Sequence, residues 1–91
     1  MKKILLISDT HGYIDQRIIQ YAKQSDETWH AGDIGELKVT DELKKVTTLR
    51  AVHGNIDNNK IRAEYPENLR FQIEEMKIKI THIGVYPNKY N

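Results

Sequence analysis

The 91-residue sequence has no cysteine, one tryptophan, one phenylalanine and two prolines. Without cysteine there is no disulfide framework and no thiolate ligand for a metal. Long apolar runs are missing too: nothing approaches the ~20 residues that a membrane-crossing helix needs. Lys2-Lys3 followed by Ile4-Leu5-Leu6-Ile7 superficially resembles a signal peptide, but the apolar stretch is too short and Asp9 ends it, so it reads as a first β-strand. Nor is there an excess of one charge. Fourteen basic against 13 acidic residues leave a net +1, so nothing in the balance points to nucleic acid or an anionic membrane as partner. With 38% hydrophobic and 30% charged residues the composition is that of a globular chain, long enough for one small domain. No internal repeat or low-complexity segment is present, and a cytoplasmic location is the default expectation.

What is there is a recurring junction. Three times an apolar stretch runs into a metal-liking residue beside a glycine: Ile4–Ile7 into Ser8-Asp9-Thr10-His11-Gly12, Thr28–Ala31 into Gly32-Asp33, and Leu49–Val52 into His53-Gly54-Asn55. If the apolar runs are neighbouring parallel strands, their carboxyl ends lie side by side, where open α/β sheets bind ligands. Asp9, His11, Asp33 and Asn55 then converge.

The rest of the chain supports that frame. Residues 3–8 read as a buried parallel strand. Ile14, Ile18, Tyr21 and Ala22 recur at helical spacing, with Asp15 as N-cap candidate. Asp26–Ala31 is a short second strand, and Leu37, Val39, Leu43 and Val46 suggest a second helix starting near Thr40 or Asp41. Thr47–Val52 is the third strand. This β-α-β-α-β order predicts two right-handed crossover units and a parallel sheet. Asp57-Asn58-Asn59 and Tyr65-Pro66-Glu67-Asn68 read as polar loops. Leu69, Phe71 and Ile73, then Met76, Ile78 and Ile80, alternate with polar residues as two half-buried strands of a hairpin turning near Glu74-Glu75. The second strand delivers Thr81-His82. Residues 1–83 are expected to be a single α/β domain, incomplete, and 84–91 an irregular C-terminal tail.

Each candidate has a plainer explanation. Asp9 alone could cap a helix, and Gly32-Asp33 or Gly54-Asn55 could be ordinary turns. A lone His82 is more often a surface or core histidine than a ligand. Four separate runs ending in suitable donors are harder to assign to turns. Oxygen and nitrogen donors of this mix suit manganese, zinc, iron, nickel or cobalt without choosing among them. Two such ions together would hold a phosphate ester and lower the pKa of a water to give a hydroxide for in-line attack on phosphorus. His30 and His53, each at a strand end near a glycine, read better as hydrogen-bonded neighbours of the site than as catalytic acids. Trp29 reads as core; Tyr86 and Tyr90 are candidates for a binding mouth or a mobile tail.

Asp9-Thr10-His11-Gly12, Gly32-Asp33, Gly54-Asn55-Ile56-Asp57 and Thr81-His82 together resemble the calcineurin-like metallophosphoesterases, and within them the small YfcE-type phosphodiesterases. The resemblance covers nearly the whole chain in order. It implies a sandwich of two mixed sheets flanked by helices (αββα), here truncated, and hydrolysis of phosphodiesters or phosphomonoesters, often with manganese. It further implies that Asp33 bridges two divalent cations, that Asp9 and His11 bind the first, and that Asn55, which may also touch phosphate, and His82 bind the second. No catalytic residue beyond these ligands is implied.

Two departures accompany it. Ile56 stands where many superfamily members carry a histidine after the Gly-Asn, although the small phosphodiesterases also lack it. The family's later Gly-His-Thr-His type motif has no counterpart after His82, so the chain resembles the N-terminal half of the domain and each metal lacks one imidazole. An uncovered sheet face then predicts a homo-oligomer. The alternatives are a catalytically inactive metal-binding or oligomerising scaffold, or a fragment of a longer phosphodiesterase. A Rossmann-like nucleotide binder fits worse, because no glycine-rich loop follows the first strand.

Overall fold

A computed structural model describes residues 2–82 and, for the backbone alone, 84–87. Three short strands, β1 (Ile4–Ile7), β2 (Glu27–His30) and β3 (Thr48–Ala51), form a parallel sheet in the order β1-β2-β3. Their ends are level: Ile7 pairs with His30, and His30 with Ala51. The segments that follow the three strands therefore start at the same height, as the sequence pattern requires.

The connections are helical. α1 (Gln16–Lys23) starts at Asp15, whose carboxylate accepts the Ile18 N–H at 3.0 Å, the expected N-cap. α2 (Leu37–Lys44) starts three residues earlier than the expectation at Thr40 or Asp41. Thr40 is buried inside the helix and donates its hydroxyl back to the Leu37 carbonyl at 2.9 Å, so its side chain is satisfied within the turn rather than as a cap. A third helix, α3 (Asn59–Glu64), occupies residues for which no helix is expected from the sequence; Asn58 caps it by accepting from the Ile61 N–H at 3.1 Å.

β4 (Asn68–Ile73) and β5 (Met76–Thr81) form the expected hairpin, turning at Glu74-Glu75. The backbone corrects the irregular-tail expectation over part of its length. β6 (Gly84–Pro87) adds antiparallel to β5, pairing from Thr81↔Gly84 to Ile78↔Pro87. Antiparallel addition satisfies main-chain groups that an isolated β5 edge would leave open, and Pro87 is tolerated because it lies on an edge strand. Residues 88–91, Tyr90 among them, lie outside the described residues, as does the side chain of Tyr86.

Two cores flank the parallel sheet. On one face Ala22, Ile34, Val39, Leu43, Ala51, Ile61 and Tyr65 pack the helices down, with Leu5 and Ile7 beneath them. On the other, Trp29, Ala31, Val52, Ile78 and Ile80 join the two sheets, with Ile4, Leu69 and Phe71 around them. Trp29 is thus core, as expected, and meets Phe71 edge-on at 5.0 Å. Burying such side chains contributes roughly 1.5–3 kcal/mol each. The layer order is helices, sheet, sheet; no outer helical layer covers the second sheet among the described residues. The exposed face of β4 carries Asn68, Arg70 and Gln72, with Lys79 and Lys77 opposite the last two. That face is polar; the exposed large apolar side chains among the described residues are Leu6, on the edge strand β1, with Tyr13, Tyr21, Ile56 and Met76.

Candidate metal centre

The three junctions fold into interlocking loops. Asp9 N–H donates to the Gly32 carbonyl at 2.9 Å, His11 N–H to the Asp33 carbonyl at 3.0 Å and Gly12 N–H to the Ile34 carbonyl at 2.7 Å. The third loop closes onto the second through side chains: Ile56 N–H donates to Asp33 Oδ1 at 3.1 Å. Gly54 lies so close to Asp33 that a Cβ there would run into the Asp33 backbone and carboxylate. Glycine is required at that position by this contact rather than by its torsion angles.

Asp9, His11 and Asp33 all have positive φ, 56°, 51° and 56°; Glu74 at the hairpin turn is the other non-glycine residue with that geometry among those described. Left-handed backbone costs an L-residue energy and persists where surrounding contacts impose it, commonly at functional sites. Three of these four strained positions are residues the sequence had singled out.

Their side chains meet. Donor atoms of Asp9, Asp33 and His82 all lie within 4.8 Å of one another. His82 Nε2 is 3.4 Å from Asp33 Oδ2, and His11 Nε2 is 3.8 Å from both Asp33 Oδ2 and Asp9 Oδ1. Asp33 is buried; Asp9 and His11 face solvent. The hydroxyl of Ser8 beside Asp9 holds that carboxyl below its ordinary value against the cost of desolvation, with Asp33, His82 and His11 adding to the lowering. Asn55 borders, with His82, His53 and Arg62, a cleft of ≈ 300 Å³ next to the cluster. Thus Asp9, His11, Asp33 and His82 are brought together, and Asn55 shares a cleft with His82.

The donor set fits a divalent cation. His82 Nδ1 lies 2.9 Å from the Ala31 carbonyl and so carries a proton; in the neutral ring Nε2, facing Asp33, is then the nitrogen with the lone pair. That backbone-anchored tautomer is typical of histidines that bind metals. Among the described residues the ion-pair partners of Asp9 and Asp33 are histidines alone, so no lysine or arginine neutralises the two carboxylates.

Three supporting residues, Asp57, Thr10 and Arg62, carry no assigned role in the sequence reading. Asp57 is buried, and its carboxylate accepts three main-chain N–H groups: Gly35 at 2.8 Å, Gly54 at 2.8 Å and Ile34 at 3.1 Å. Burial alone would raise this carboxyl; the three amides outweigh it and the net shift is downward. Thr10 donates to the Ile34 carbonyl at 3.0 Å and sits 2.9 Å from His30 Nε2. Because Gly32 N–H donates to His30 Nδ1 at 3.1 Å, His30 is the Nε2–H tautomer and donates to Thr10. Burial pushes His30 down to about 4, partly offset by Asp57, Asp9 and Asp33. His30 is thus a neutral, hydrogen-bonded histidine behind the site. His53 bonds through Nδ1 to the Tyr65 carbonyl at 2.9 Å. Local spacing gave no signal for Asp57: its carboxylate reaches back to the Gly54 N–H three residues earlier, whereas an Asx turn runs to the backbone two residues on. Arg62 lies on the helix that went unexpected.

The model of the calcineurin-like phosphoesterase superfamily domain matches residues 1–91, and the chain belongs to that family. It is similar to a protein named probable metallophosphoesterase from Methanothermobacter thermautotrophicus, 29% identical over 87 residues, covering 90% of this chain and 50% of the relative. Among solved structures, a conserved uncharacterized protein, a predicted phosphoesterase, from Streptococcus pneumoniae superposes with a TM-score of 0.61 at 33% identity, over 88% of this chain and 44% of that one. Vps29 from Chaetomium thermophilum superposes at 0.71 with 17% identity over 87% and 45% of the two chains, and shows the fold alone. The chain spans about half the length of the relatives it matches.

Proposed function

We propose that this chain is the metal-binding portion of a phosphoesterase, acting on phosphodiesters or phosphomonoesters with two divalent cations, manganese first among the candidates. In this reading Asp33 bridges the cations, Asp9 and His11 hold one, and Asn55 and His82 hold the other. The observation that carries it is the meeting of Asp9 and Asp33 carboxylates with the His11 and His82 imidazoles, with no lysine or arginine paired to them among the described residues. When bound, the two ions would supply Lewis acidity for the phosphate oxygens and lower the pKa of a water.

The chain's own residues prepare that chemistry. Ala31 holds the His82 ring through Nδ1, so its other nitrogen faces the carboxylates. Asp57 ties the second and third loops together, keeping Asp33 and Asn55 in register. His30 and Thr10 tie the first loop to the second. With this donor set the chain by itself is proposed to hydrolyse phosphate esters weakly. Self-association is part of the same proposal, through the open edge of β1 and exposed Leu6, as is a cytoplasmic setting. Among the described residues no helix is long and apolar enough to cross a membrane.

The test is hydrolysis of bis-p-nitrophenyl phosphate with added Mn²⁺, alongside calorimetric Mn²⁺ titration. Asp33→Asn is expected to abolish both. Titration with no Mn²⁺ binding by the wild-type chain, together with a defined homo-oligomer, would instead favour the scaffold.

A further inference from the structure

Arg62 stands at the rim of the cleft that Asn55 and His82 share. A guanidinium beside a phosphate-ester site is ordinarily read as an anion clamp. Here its donors point elsewhere. Nε donates to the Asp57 carbonyl at 2.7 Å, and Nη2 donates to the carbonyls of Gly54 at 3.2 Å and Asn55 at 3.3 Å. Nη1 lies 3.3 Å from His53 Nε2. The His53 Nδ1 proton is committed to the Tyr65 carbonyl, so Nε2 is a bare acceptor and Arg62 donates to it. Four of the guanidinium's five N–H groups are therefore spent within the protein, which leaves one for any anion.

The loop from His53 to Asp57 is thus held from two sides. Asp57 takes the Gly54 N–H, and Arg62 takes the carbonyls of Gly54, Asn55 and Asp57. We propose that Arg62 is a positioning residue for the cation site: it fixes the backbone that carries Asn55 and acts on metal binding through Asn55, without binding phosphate. This rests on the proposed role of Asn55 as a ligand. Arg62 works because its planar fork reaches several carbonyls at once, which a lysine's single ammonium does not.

The test uses the full chain with Mn²⁺ as probe, in wild type, Arg62→Gln, Arg62→Lys, Asn55→Ala and the double variant Arg62→Gln/Asn55→Ala. Arg62→Gln is expected to weaken Mn²⁺ binding by about 10–100-fold, as lost supporting contacts to ligands do. Arg62→Lys should not restore it, and the double variant should lose no more than Asn55→Ala alone. Amide exchange gives a readout that needs no metal: Ile56 and Asp57 N–H groups should lose protection in Arg62→Gln while β2 amides keep theirs. Unchanged Mn²⁺ affinity, or losses that add in the double variant, would overturn the inference. So would an intact Mn²⁺ affinity with a raised KM for bis-p-nitrophenyl phosphate, which would make Arg62 a substrate contact. If the wild-type chain binds no Mn²⁺, the proposed function fails, and exchange alone then decides: unaltered protection of Ile56 and Asp57 rejects the role of Arg62 as well.

Discussion

His82 donates from Nδ1 to the Ala31 carbonyl at 2.9 Å, a hydrogen bond between the two sheets that leaves its other nitrogen 3.4 Å from Asp33. The second sheet thereby delivers a donor to a cluster otherwise built by the loops of the first. His82→Gln is expected to lower Mn²⁺ affinity by at least about 10-fold while far-ultraviolet circular dichroism stays unchanged. Retained affinity would place His82 outside the cation site.

Asp57 predicts a structural loss. Asp57→Ala removes the acceptor for two buried amides and one half-buried amide and is expected to cost about 3 kcal/mol, the upper range for a hydrogen-bonded charged group. Urea denaturation at neutral pH measures it. Asp57→Asn should recover part of the loss, because one amide oxygen still accepts.

Acid stability follows from Asp57 and Glu27. Glu27 is 3% exposed and accepts from Trp29 Nε1 at 2.9 Å and Arg50 Nε at 2.8 Å. Burial raises its carboxyl, yet Arg50, Trp29 and Lys2 outweigh that and the net shift is downward. Both groups therefore have folded values below their unfolded ones. Their stabilisation is complete above the ordinary carboxylate range and is lost as pH falls through the depressed folded values. The urea midpoint should drop steeply on acidification, and less so in Glu27→Gln.

His30 acts in a different window. Its folded value of about 4 lies below the ordinary 6.5, so the folded state resists protonation. Nothing changes above pH ~6.5; between there and about pH 4 the unfolded chain binds a proton the folded one refuses, and stability falls by about 3 kcal/mol. His30→Gln should flatten this part of the profile. An unchanged slope between pH 7 and 5 would contradict a buried neutral imidazole.

Gly54→Ala tests the close approach of the loops. A methyl group directed into Asp33 forces the second and third loops apart, and overpacking of this kind costs about 1–3 kcal/mol. Thermal denaturation and Mn²⁺ titration should both register it, the titration more strongly.

The sequence by itself determined the three apolar runs, their parallel order and the residues at their ends. Ile4–Ile7, Thr28–Ala31 and Leu49–Val52 each feed a Gly-Asp, Gly-Asn or Asp-x-His junction, and strand-end position follows from local pattern. It also determined the hairpin, because Leu69, Phe71, Ile73 and Ile78, Ile80 alternate with period two. The helix α3 was hidden: six residues with one buried apolar side chain, Ile61, carry too little periodicity to stand out from a polar loop. β6 was hidden because an edge strand takes its stability from a neighbour's backbone rather than from its own side chains. Only the tertiary structure decided that Asp57 reaches Ile34 and Gly35 across more than twenty residues, that Arg62 spends its donors on carbonyls, and that His82 Nε2 meets Asp33. Sequence pattern records which face of an element is apolar; hydrogen bonds between distant loops depend on directions and distances that exist only once the elements have packed.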